Sequence, residues 1–160
     1  MVAISQIIRY QCRYFAMNIL PLSHISLEDL LPHRGNMLLV SEILEVDRQH
    51  ALAICWVDKS WPLADENGIS SLILVELAAQ TAGVCNGWDR IQTKGLDSEK
   101  MGWLVGIKKA DFFIDYLPFG GKILSRAENI YSFSNLREVS CEQHLDNTLI
   151  GRMTLQLFQA

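Results

Sequence analysis

Polar side chains almost disappear from the run Leu74-Val75-Glu76-Leu77-Ala78-Ala79-Gln80-Thr81-Ala82-Gly83. Glu76 and Gln80 stand four residues apart, so a helix places them on one face. Ile73, Leu74, Val75, Leu77, Ala78, Ala79 and Val84 surround them, and a helix apolar nearly all round is a buried one. The pattern predicts a central helix from about Ile69 or Ser70 to about Asn86, with Gly87 as its stop. A buried carboxylate is costly unless it is paired or hydrogen-bonded. Glu76 therefore either serves a site or belongs to a local network.

Elsewhere the pattern alternates. Ser26 to Leu31 reads as a short helix, with Ser26 as its N-cap and Asp29 in the first turn. Pro32 limits it, and His33-Arg34-Gly35-Asn36 forms a turn. Strands follow at Met37 to Val46 and Ala51 to Val57, joined through Asp47-Arg48-Gln49-His50. Trp61 to Gly68 reads as a loop, punctuated by Pro62, Asp65, Asn67 and Gly68. After the helix comes a flexible stretch, Gln92 to Lys100. Met101 to Ile107 has strand character, continued through Lys108 to Ile114. Pro118-Phe119-Gly120-Gly121 is a turn, and three more strands are predicted at Lys122 to Phe133, Arg137 to Leu145 and Thr148 to Phe158. One long buried helix with a set of antiparallel strands is an α+β arrangement, the sheet covering the helix.

The chain has 160 residues, 49% of them apolar. That suits one domain with a full-sized core, here residues 21–160. Residues 1–20 read as a peripheral extension. Ile7, Ile8, Tyr10, Tyr14 and Phe15 are interrupted there by Arg9, Gln11 and Arg13. That is unlike a secretory signal, and it leaves open either an amphipathic extension or a core that starts nearer Met17. The net charge is −4, from 14 basic and 18 acidic residues. No basic stripe is present, which argues against a nucleic-acid partner. No apolar run is long enough to span a membrane. Cys12, Cys55, Cys85 and Cys141 lack zinc-type spacing and read as reduced thiols of a cytoplasmic protein. There is no nucleophile elbow around Ser70, no phosphate-binding glycine motif and no dinucleotide fingerprint.

Two segments carry a family likeness. Leu31-Pro32-His33-Arg34-Gly35-Asn36-Met37-Leu38-Leu39-Val40 resembles the N-terminal signature of the 3-hydroxyacyl-acyl carrier protein dehydratases of the hotdog fold. The Leu74 to Gly83 helix resembles their helix motif, with Glu76 and Gln80 at its acidic and amide positions. A weaker match is Gly106-Ile107, followed by Pro118 and Gly121. The matches run in the family's order over roughly residues 25 to 125.

The resemblance implies a long central helix wrapped by a curled antiparallel sheet. It also implies a dimer, with itself or with a related dehydratase, whose sheets join and whose acyl-pantetheine tunnels lie near the subunit boundary. In such enzymes a histidine of one subunit takes the C2 proton, and the helix carboxylic acid of the other assists departure of the C3 hydroxyl as water. The substrate is a thioester of acyl carrier protein or coenzyme A. Its phosphopantetheine belongs to the substrate, and no cofactor or metal is implied.

One position breaks the resemblance. The family histidine precedes the helix in a glycine- and proline-rich loop, and the usual spacing back from Glu76 lands on Pro62. No histidine occurs from Trp61 to Ser71. Gly68 and Ser70 keep the small-residue character of that loop. Asp65 and Glu66 could substitute, but a carboxylate with a pKa near ~4 is a weaker base than imidazole. The altered loop resembles a branch of dehydratases associated with aryl-polyene and related fatty-acyl pathways, which work beside a more conventional subunit.

Glu76 is thus the candidate catalytic acid, and Gln80 the residue that orients it or ties helix to loop. His33 and Arg34 read as braces of the Pro-His-Arg turn, since no sequence spacing places the His33 ring beside Glu76. Lys108 and Lys109 could meet an acidic carrier protein or form an ordinary solvated edge. Trp56, Trp61, Trp88 and Trp103 suit either an acyl pocket or the core and dimer contact. Three functions fit: a dehydratase of 3-hydroxyacyl thioesters, a non-catalytic subunit supporting an active dehydratase, or a hotdog thioesterase in which Glu76 activates water or attacks the carbonyl.

Overall fold

The computed structural model describes residues 19–159; the expectations for residues 1–16 and for Met17 lie outside them. Leu20 is already docked. Its backbone N–H and C=O both bond the Gln92 carboxamide, each at 2.8 Å. Helix α1 (Leu27–Leu30) is closed by a capping box between Ser26 and Asp29. The Ser26 hydroxyl accepts the Asp29 N–H while the Asp29 carboxylate accepts the Ser26 N–H, which satisfies two otherwise orphaned donors.

The strands are β1 (Glu42–Val46), β2 (His50–Trp56), β3 (Ala64–Asp65), β4 (Gly68–Ser70), β5 (Gly102–Phe112), β6 (Tyr116–Leu117), β7 (Lys122–Phe133), β8 (Leu136–Leu145) and β9 (Thr148–Gln159). Six form one sheet in the order β1-β2-β7-β8-β9-β5, every pairing antiparallel. A small second sheet runs β3-β4-β6. Helix α2 (Ile73–Lys94) packs along the inner face of the large sheet, chiefly on β7 and β2. This is the α+β hotdog arrangement that the pattern and the resemblance predict.

Alternation places the core. On β7, Ile123, Ser125 and Ala127 point inward and are fully buried, while Leu124, Arg126 and Glu128 face out. Ala51, Ala53, Cys55 and Cys141 join them against Ala78 and Ala82 of α2. These short side chains let the helix lie close on the sheet. Thr81 donates its hydroxyl to Leu77 O, so its contact with Ser125 at 2.7 Å uses the Ser125 proton. Asp146 and Asn147, both at positive φ, turn β8 into β9 in two residues.

Four boundaries depart from the sequence reading. The first strand begins at Glu42 rather than Met37, because Gly35–Met37 forms a single 3-10 turn. The Gln80 carboxamide then takes the Leu39 N–H and the Met37 carbonyl, groups a ladder would otherwise use. The expected loop before the helix contains the hairpin β3-β4, so α2 starts at Ile73. Gly87 does not stop the helix. It lies against α1, where a Cβ would stand 2.5 Å from Leu30 O. The stop is Gly95, at φ 89, and Gln92 to Lys94 of the expected flexible stretch are helical.

Candidate active site groove

The turn after α1 and the first turn of α2 bring His33 and Glu76 together. His33 Nε2 lies 3.1 Å from Glu76 Oε1. The same oxygen accepts from Gln80 Nε2 at 2.8 Å. The His33 contact is a tertiary one that no local spacing encodes, made when α1 packs on α2 at Gly83 and Gly87. A Cβ on Gly83 would stand 2.8 Å from Leu31 Cδ2.

Glu76 occupies the first turn of α2, where the helix dipole favours a negative charge. The hydrogen bond from His33 is the largest influence on its carboxyl. With the Gln80 bond, it outweighs burial and holds the pKa below the ordinary value. Oε1 carries both bonds; Oε2 accepts none from the described residues. The Glu76 side chain keeps 34% of its surface exposed and lines the groove beside it. His33 Nδ1 is buried without a partner among the described residues.

From this pair a groove of about 240 Å³ runs down α2. Its floor is Ala79, Gly83 and Gly87, which follow Glu76 on one helical face, and it reaches Arg90. Glu76 to Arg90 is about 21 Å along the axis at ~1.5 Å per residue. Leu30, Leu31 and Pro32 form one wall, and Met101 to Leu104 with Leu157 and Phe158 form the other. The far end is cationic, but its charges are engaged. Arg90 donates to Ser98 O at 2.9 Å and to Asp29 O, and Lys100 donates to Glu28 O at 2.9 Å.

The other candidates lie elsewhere. Gly68 and Ser70 stand in β4, outside the groove. Gly68, at φ +132, is held where a Cβ would collide with the Leu117 carbonyl. Ser70 Oγ accepts the Leu72 N–H at 3.5 Å. Arg34 donates to Leu31 O and His33 O at 2.8 and 2.7 Å and to Glu28 O at 3.1 Å. It thereby satisfies carbonyls at the end of α1. Asp65 and Glu66 are exposed on the β3-β4 hairpin and do not reach the groove. Lys108 and Lys109 pair with Glu138 and Asp111. Of the four tryptophans, Trp103 lines the groove. Burial pushes the thiols of Cys55, Cys85 and Cys141 up to about 12, so none is a nucleophile at neutral pH.

Sequence reading missed Arg90, Lys100, Met101 and Phe158, while Trp103 was among its pocket candidates. The small residues at 79, 83 and 87, in register with Glu76, were the available signal for a groove along the helix.

Among the described residues no helix is long and apolar enough to cross a membrane. The fold is similar to that of the dehydratase heterocomplex ApeI:P from Xenorhabdus doucetiae, with a TM-score of 0.77 and 18% identity over 85% of this chain and 91% of that one. It is also similar to Cj0977, a sigma28-regulated virulence protein from Campylobacter jejuni, with a TM-score of 0.61 and 19% identity over 84% and 96%. Among curated proteins, the 3-hydroxyacyl-[acyl-carrier-protein] dehydratase FabZ of Streptococcus uberis is 28% identical over 134 residues, 81% of this chain and 91% of that protein. Residues 25–160 match the ApeP-like family, described as ApeP dehydratase; with the helix motif, the Pro-His-Arg turn and the hotdog sheet in place, the chain belongs to that family.

Proposed function

We propose that this chain is the supporting subunit of a hetero-oligomeric dehydratase of 3-hydroxyacyl thioesters, and that alone it is an incomplete catalyst. One observation carries the reading. The segment Trp61 to Ser71 holds no histidine, with Pro62 where one is expected, while Glu76 and the groove beside it are retained. Dehydration requires a base to take the C2 proton and an acid to protonate the departing C3 hydroxyl. As the C2–H and C3–O bonds break, the C2=C3 double bond forms and water leaves. Asp65 and Glu66 are not placed to serve as that base.

The sheet edge supports a partner. Among the described residues, strand β5 has a neighbour on one side only, and it exposes Trp103 at 53%, Val105 at 56% and Ile107 at 51%. A long apolar edge of this kind invites pairing with another chain. Because Met101 to Leu104 also wall the groove, a subunit added along β5 borders the site. The similarity to the ApeI:P dehydratase heterocomplex favours a related, histidine-bearing dehydratase in that place. The expected ligand is an acyl thioester of carrier protein or coenzyme A.

The test is turnover by the chain alone, by a histidine-bearing hotdog dehydratase encoded beside it, and by the two together. Each is incubated with 3-hydroxyacyl-carrier and enoyl-carrier substrates, and mass spectrometry separates dehydration, hydration and hydrolysis. The expected result is no turnover by the chain alone and a stable complex that turns over. Full dehydration by the isolated chain, or failure of the two to associate, overturns the proposal.

A further inference from the structure

We infer that His33 is a positioning residue for Glu76, pinning one carboxylate oxygen so that the other serves a reaction site completed by the partner subunit. The inference rests on the supporting-subunit reading above and adds a residue that the family likeness treats as a brace. Three observations carry it. His33 Nε2 and Gln80 Nε2 converge on the same oxygen, Glu76 Oε1, at 3.1 and 2.8 Å. Gln80 is itself fixed by Leu39 N–H and Met37 O. His33 and Glu76 both line the groove.

A carboxylate on a flexible stem has several rotamers, and ordering it beforehand lowers the cost of reaching the reactive geometry. Two donors on Oε1 leave Oε2 for the ligand. In water addition to an enoyl thioester, Oε2 takes a proton from water as the water oxygen bonds to C3. The partner's imidazolium delivers its proton to C2, and the C2=C3 π bond is consumed. Dehydration is the reverse. His33 is the titratable side chain in contact with Glu76. Gln80, from the same helix, does not titrate, and Arg90 and Lys100 stand at the far end of the groove.

The test uses the assembled complex and crotonyl-N-acetylcysteamine in the hydration direction. His33→Leu removes the donor. His33→Gln places an amide N–H where Nε2 stood. With the donor gone, burial is the largest remaining influence on Glu76, so its carboxyl titrates higher. The acid limb of the kcat profile should then move to higher pH. We expect His33→Leu to lower kcat about 10-fold with KM little changed, and His33→Gln to restore both kcat and the limb. If His33→Leu fails to assemble, the shorter His33→Asn replaces it under the same criteria. A variant lacking the donor that assembles yet keeps the wild-type kcat and pH profile overturns the inference. So does an assembled Glu76→Gln complex that retains full turnover. Neither outcome touches the supporting-subunit reading, which falls only if the subunits do not associate or the isolated chain is fully active.

Discussion

Gly87 lies beneath the backbone of Leu30, so close that a Cβ would stand 2.5 Å from the Leu30 carbonyl oxygen and 3.1 Å from its Cα. This approach seats α1 on α2 and so delivers the Pro32-His33 turn to Glu76. Backbone cannot retreat as a side-chain tip can. Gly87→Ala should therefore cost about 1–3 kcal/mol through overpacking, despite alanine's better helix propensity. Chemical denaturation measures the loss. An unchanged midpoint would mean that α1 is not held by this contact.

Gln80 joins three groups: Leu39 N–H, Met37 O and Glu76 Oε1. Leu39 is fully buried, so Gln80→Leu leaves its N–H without a partner. The expected destabilisation is about 1–3 kcal/mol. Gln80→Glu instead sets a second carboxyl against Glu76, and its stability should improve as pH falls from neutrality. Thermal melts of both variants across pH check the two signs.

Glu76 makes a pH-dependent contribution to stability in the isolated chain. Its folded pKa lies below its ordinary value of 4.5. The contribution is therefore present above that value and is lost as pH falls through the folded pKa. The difference in Tm between wild type and Glu76→Gln should shrink as pH falls below 4.5. Growth of the difference below that value would contradict the His33 and Gln80 bonds. Asp29, held low by its bonds from Ser26, titrates in the same range, so both chains must retain it.

The β5 edge yields a prediction about assembly. Val105→Lys places a charge on an exposed position of the edge strand, a device that blocks edge pairing. The folded chain should keep its stability within about 0.5 kcal/mol. Association with the partner should weaken by about 10-fold or more, read by sedimentation velocity of the mixture. Undiminished association would place the interface elsewhere.

The long strands and the central helix were legible because their periods run for many residues. The alternation over Lys122–Phe133 carries the bounds of that strand, and the apolar surround of Glu76 carries the helix. Its end was misread because Gly87 has two physical uses, helix stop and close approach, and the sequence does not say which. The 3-10 turn at Gly35–Met37 was hidden because it depends on Gln80, a residue far along the chain. Glu76 and Gln80 could be named from the cost of burying them. The His33 contact could not, being the product of two helices docking.

The order of the large sheet also bears on how the chain is made. Strand β2 pairs with β7, and β5 waits for β9, which lies far along the chain: Ala51 meets Ala127, and Trp103 meets Phe158. Such distant pairings are slow to form. On the ribosome, β5 and its apolar side chains emerge well before the strand that shields their inner side. The nascent chain therefore carries a sticky ribbon until β9 emerges. Synthesis in the company of its partner is the circumstance in which that ribbon is covered soonest, and production of the chain alone is the one in which aggregation competes most strongly.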